Sequence, residues 1–173
     1  MLNEVTAFLR KTDWDEVREV FDRTRERYTW GTQSGSHLRR TTRANILKAR
    51  EFLSRMSHNA RIVEGWAHTE LKKRLNGAAD FSTDQENQLR EIVRIAAEFR
   101  RLSRMRRIKL TLWAALRADQ WPLRQVPSIA SLRNLGANGE LDLIALYEEV
   151  KTAAAKLALP YGQQFHNAVL AGL

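Results

Sequence analysis

The 173-residue chain contains no cysteine, which excludes disulfides, thiolate metal sites and thiol nucleophiles and fits a reducing compartment. Proline occurs three times and glycine eight, and apolar residues recur at intervals of three and four rather than two, which argues against a β-rich fold. No run of about eighteen apolar residues exists, so no segment reads as a membrane-spanning helix. The opening residues MLNEVTAFLRKTDWD carry Glu4 and Arg10 before any sustained apolar run and lack the design of a secretory leader. A reducing, cytoplasmic location is the expectation, with a virion-associated one as its variant.

Catalytic motifs are missing as well. The segment GTQSGS lacks the Gly-Lys-Ser/Thr ending of a P-loop, and it is not a nucleophile elbow. His37, His58, His68 and His166 are scattered. Glu64 and His68 share a helix face four residues apart, but no second ligand pair follows, so no metal site is expected. His68-Thr69-Glu70 has the His-x-Glu spacing of zinc deaminases without their cysteines. The reading is non-catalytic, with no cofactor.

One sign of charge is missing from two long stretches. No acid lies between Glu26 and Glu51, and none between Glu98 and Asp119. Net charge is +9, but residues 31–138 hold twenty-one Lys/Arg against nine Asp/Glu, a local excess of +12, while both ends of the chain are slightly acidic. Seventeen of those twenty-one cations are arginine, whose planar fork suits phosphate and stacks on bases. The densest run is FRRLSRMRRIKL at 99–110, with six cations in twelve positions: Arg100, Arg101, Arg104, Arg106, Arg107 and Lys109.

The remainder is ordinary globular composition, 43% hydrophobic and 28% charged, enough for one domain spanning 1–173 with a true core. The expected fold is all-α: a single helical bundle of six to eight helices with a long central helix near 83–118. A first helix is expected from about Asn3 to Lys11. A second follows a cap at Thr12 or Asp13 and frays near Tyr28, where TWGTQSGS reads as a Gly/Ser loop. A third helix runs from about His37 to Met56, is interrupted or bent at Ser57-His58-Asn59, and gives way to a fourth over 60–75 that stops at Asn76-Gly77. Overlapping capping boxes, Ser82 with Gln85 and Thr83 with Glu86, open the central helix. Its apolar stripe is read as Leu89, Ile92, Val93, Ala96, Phe99, Leu102, Met105, Leu112, Trp113 and Leu116. A short helix over 128–135, another over 140–159 and a final turn or two in the tail complete the bundle.

On a helical wheel Arg100, Arg104 and Arg107 form a ridge within about 60° of one another, flanked by Arg101. Arg39, Arg43 and Arg50 share one face of the third helix, with Arg40 beside them. Two acid-free arginine ridges packed side by side would make a trough of positive potential for a polyanion. The Gly/Ser loop ahead of the third helix adds an anion-binding helix start. Trp30 and Trp121, in loop-like segments, are the candidates for stacking on unpaired bases; Trp14, Trp66 and Trp113 read as core. The expected function is largely sequence-independent binding of nucleic acid, RNA or single strands before duplex DNA, as a self-associating subunit of a ribonucleoprotein or capsid-like assembly. Three competing readings remain, one of them an enzyme of a helical class without a readable motif; the other two concern the basic patch. The run at 99–110 is a plain solvated face and the acids of DWDEVREVFD neutralise Arg39, Arg43 and Arg50; or the patch serves a scaffold module that binds an acidic protein partner.

Overall fold

The computed structural model describes residues 2–77, 83–115, 128–135 and 141–173. Among them the chain is all-α, with seven α-helices: α1 (Leu2–Phe8), α2 (Trp14–Val20), α3 (Arg23–Thr32), α4 (Gly35–Leu75), α5 (Thr83–Ala115), α6 (Leu143–Ala158) and α7 (Gln163–Gly172). A 3-10 turn at Ala130–Leu132 leads into a two-residue antiparallel pair, β1 (Asn134–Leu135) with β2 (Leu141–Asp142). The chain divides into two compact units. The first comprises Met1–Thr12, Arg55–Leu102 and Ile144–Leu173; the second comprises Asp13–Ser54 and Ser103–Leu143.

Local chemistry sets most helix ends. The Asp13 carboxylate accepts from the Asp15 and Glu16 amides, both at 3.1 Å, and starts α2. Asp22 accepts from the Thr24 amide at 2.7 Å and starts α3, so the second expected helix is two helices broken at Phe21-Asp22. The expected TWGTQSGS loop is mostly helix: α3 runs through Trp30 and Gly31 to Thr32, leaving Gln33 and Ser34 between α3 and α4. Gly162, at φ 101°, makes the turn into α7, a backbone conformation that side chains disfavour.

The expected break at Ser57-His58-Asn59 does not occur, and α4 is one helix of 41 residues. The side chains of His58 and Asn59 instead bond the end of α1 and the chain that follows it. The His58 Nε2–H donates to the Phe8 carbonyl at 2.9 Å. Asn59 accepts from the Arg10 amide at 2.8 Å and donates to the Arg10 carbonyl at 2.9 Å. Backbone groups left open beyond the end of α1 are thereby satisfied.

In the first unit Met56, Ala60, Val63, Ala67, Phe99 and Tyr147 are fully or almost fully buried, with the Phe99 and Tyr147 rings 5.0 Å apart. Trp66 packs edge-on to Phe165 at 5.5 Å. Glu70, 2% exposed, is held by Lys73 at 2.7 Å, and its carboxylate with burial pushes the Tyr161 phenol up. Gly172 is required for close approach, because a Cβ there would lie 2.8 Å from that of Leu9. In the second unit Val17, Phe21, Ile46, Ala49, Leu53, Leu110 and Leu132 form the core. Glu26 ties α3 to the 3-10 turn there by accepting from Ser128 Oγ and the Ile129 amide, each at 2.6 Å.

Candidate nucleic-acid interface

The second unit contains Arg39, Arg40, Arg43 and Arg50 from α4 together with Arg104, Arg106, Arg107 and Lys109 from α5. On α4 the buried residues Leu38, Thr42, Ile46, Ala49 and Leu53 define the inward stripe. At 100° per residue Arg39, Arg43 and Arg50 lie along one edge of it, within about 40° of one another, and span about 16 Å of axis. Arg40, Arg43 and Arg50 are exposed; Arg39 is half-buried, and its Nε–H is shielded without a hydrogen-bond partner. Among the described residues no carboxylate pairs with any of the four. Leu47, between Arg43 and Arg50 along α4, is 49% exposed.

The nearby acids are engaged elsewhere. Asp13 and Asp22 cap α2 and α3, and Asp15 pairs with Arg18 at 3.9 Å. Glu16 accepts from Lys48 at 2.6 Å, Glu19 pairs with Arg25, and Glu26 holds Ser128 and Ile129. Lys48 sits on the other edge of α4, about 140° around the helix from Arg43. There it lines a cleft of about 170 Å³ with Glu16, Glu19, Asp22, Glu26, Thr41, Asn45 and Trp30. The Glu16 hydrogen bond and charge hold the Lys48 ammonium above its ordinary pKa. The second unit therefore separates its charges, with acids around the Lys48 edge of α4 and arginines on the opposite edge. Trp30, 39% exposed, belongs to the acidic cleft and to a helix, which corrects the expectation that it stands in a loop beside the arginines. Trp121 lies outside the described residues.

On α5 the expected ridge separates into different environments. Arg100, in the first unit, is half-buried and pairs with Glu64, 36 residues away, which removes it from the uncompensated cations. Glu64 is thus committed to an ion pair rather than to His68. Arg107 is half-buried, and Arg101 and Arg104 are exposed. The buried face runs through Leu89, Ile92, Ala96, Phe99, Ser103 and Leu110 at constant phase. Met105 and Leu112, assigned to the apolar stripe by their spacing, instead point outward and are each 63% exposed. Leu116 lies outside the described residues. Among the described residues no cluster of His, Asp and Glu could hold a metal, and no helix is long and apolar enough to cross a membrane.

No protein-family model matches the chain, and no curated protein or solved structure does either.

Proposed function

We propose that the protein binds nucleic acid without strong sequence preference, RNA or single strands in particular, through Arg39, Arg40, Arg43 and Arg50, as a subunit of a ribonucleoprotein or capsid-like assembly. The observation that carries this is the set of carboxylate-free arginines on α4, Arg39, Arg43 and Arg50 along one edge with Arg40 about 60° from Arg43, while the six acids of α2, α3 and their caps are all committed to caps, to other cations or to backbone amides. Four cations held near one another without counter-charge repel, and a polyanion relieves that repulsion while releasing its own counterions.

The helix start adds to the argument. α2 and α3 both begin with a capping aspartate and carry an acid in the first turn, whereas α4 carries none and proceeds directly into Arg39, Arg40 and Arg43. A first turn without an acid leaves the free amides at the start of α4 open to an anion.

Fluorescence anisotropy with a labelled single-stranded RNA, across a salt series, tests the reading. Four phosphate contacts to a single strand give a log-log salt slope of about −2.8. Changing Arg40, Arg43 and Arg50 to Gln should reduce it to about −0.7, whereas Arg94→Gln, at a cation already paired with Glu91 and Glu98, should leave it unchanged. Equal slopes for wild type and the triple variant would exclude α4 as the interface. Duplex DNA of the same length, expected to bind more weakly, tests the preference for single strands.

A further inference from the structure

α5 displays a second surface of different chemistry. Within the second unit Met105, Ile108 and Leu112 are 63%, 55% and 63% exposed and follow one another at intervals of three and four residues. That spacing is the a–d–a pattern of a coiled-coil seam, and Ala115 takes the next d position, also exposed. On the same assignment Arg104 falls at g and Lys109 at e, the two positions that border such a seam. Both are exposed, and among the described residues neither meets a carboxylate; the Lys109 ammonium lies over the Trp113 ring, 5.0 Å from its centroid. An apolar strip about 15 Å long with a cation on each side is therefore presented to solvent.

The make-up of the strip selects its occupant. Phosphate contacts need donors, and three large apolar side chains in the middle of the strip contribute none. A second copy of α5 is disfavoured by charge, since a parallel pairing sets Arg104 against the Lys109 of the other copy and an antiparallel pairing sets each cation against its own kind. A helix with apolar residues at its own a and d positions and Asp or Glu at e and g matches both the seam and its borders.

We propose that the outer face of α5 docks an acid-flanked amphipathic helix of a different protein, with Met105, Ile108 and Leu112 as the seam and Arg104 and Lys109 as the charge-reading borders. This goes beyond the α4 reading and uses none of its residues.

Two synthetic three-heptad peptides, identical except for Glu or Lys at every e and g position, test it by titration against the full chain. The acidic peptide should bind at least about tenfold more tightly than the basic one. Met105→Gln, Ile108→Gln and Leu112→Gln together should abolish that binding, and because all three side chains are exposed the variant should keep wild-type circular dichroism and RNA affinity. Arg104→Glu with Lys109→Glu should reverse the preference toward the basic peptide. No binding of the acidic peptide, equal binding of both peptides, or undiminished binding by the triple variant overturns the proposal. So does capture by phosphatidylserine vesicles that depends on the three apolar residues while neither peptide binds. RNA affinity is read separately, so failure here leaves the α4 interface standing, and failure there leaves this one standing.

Discussion

Asn59 is where the first unit is most exposed to a single substitution. The side chain is fully buried in the middle of α4 and joins three other parts of the unit. Its Oδ1 accepts from the Arg10 amide at 2.8 Å. Its Nδ2 donates to the Arg10 carbonyl at 2.9 Å, to the Tyr147 hydroxyl at 3.1 Å and, at the long limit of 3.4 Å, to the Gly172 carbonyl. Asn59→Leu keeps the branched outline of the side chain and improves helix propensity, so a local view makes it neutral or stabilising. The network predicts the opposite. Two backbone bonds are lost at about 1 kcal/mol each, and the buried Tyr147 hydroxyl loses a partner at about 1–2 kcal/mol more, which totals about 3–4 kcal/mol. Urea denaturation followed by far-ultraviolet circular dichroism measures this against a typical total stability of about 5–15 kcal/mol. Tyr147→Phe alone should cost about 1 kcal/mol, and the double variant should be less destabilised than the sum by about 1 kcal/mol, because the two residues share a bond. An Asn59→Leu protein within about 0.5 kcal/mol of wild type, or strictly additive single effects, would refute the reasoning.

Two further outcomes follow from side chains already described. Burial pushes the Tyr147 phenol up, opposed by the Asn59 hydrogen bond, and burial with Glu70 pushes Tyr161 up. Both phenols are raised on folding, so their contribution is complete below the ordinary phenol pKa of about 10 and is lost as pH rises above it. Urea midpoints measured upward from pH 9 should therefore fall less steeply in Tyr147→Phe than in wild type, and identical slopes would count against the burial argument. Glu26→Ala removes the acceptor of Ser128 Oγ and the Ile129 amide, so hydrogen exchange at Ile129 should accelerate about tenfold or more. Glu26→Gln, which retains a side-chain carbonyl, should accelerate it less.

Elements whose cause is local could be read from the sequence. The Asp13 cap and the stop near Asn76-Gly77 both depend on residues within a turn of the boundary, whereas Ser82 of the expected capping boxes ahead of α5 lies outside the described residues. The Asp22 cap carries the same kind of signal but is masked by the apolar spacing that continues across Phe21. The continuity of α4 was not legible: His58 and Asn59 weaken a helix considered alone, and what retains them lies 50 and 49 residues away at Phe8 and Arg10. The extension of α3 through Trp30 was obscured by Gly31, a residue that a helix tolerates at about 1 kcal/mol.

The same distinction governs the charges. Pairs at three or four residues, such as Arg94 with Glu91 and Glu98, are visible in the sequence, and the acid-free stretches on α4 and α5 were found by their absence. Pairs closed by the fold are not visible: Glu64 lies 36 residues before Arg100, and Glu16 lies 32 before Lys48. Phase was the second hidden variable. In α5 a seven-residue spacing links Met105 to Leu112, while the buried face keeps the helical repeat through Phe99, Ser103 and Leu110. A seven-residue repeat drifts about 20° per heptad on a straight helix, but here the two sets are simply different faces, and the polar Ser103 conceals which one turns inward. Once Ser103 is placed inside and Met105 outside, Arg100 is committed to Glu64 and Arg104 and Lys109 become the borders of an apolar seam. The two acid-free stretches of the sequence therefore correspond to two surfaces of different chemistry, a group of arginines on α4 and a cation-bordered apolar strip on α5, and for that reason the RNA and peptide titrations have to be read on the same set of variants.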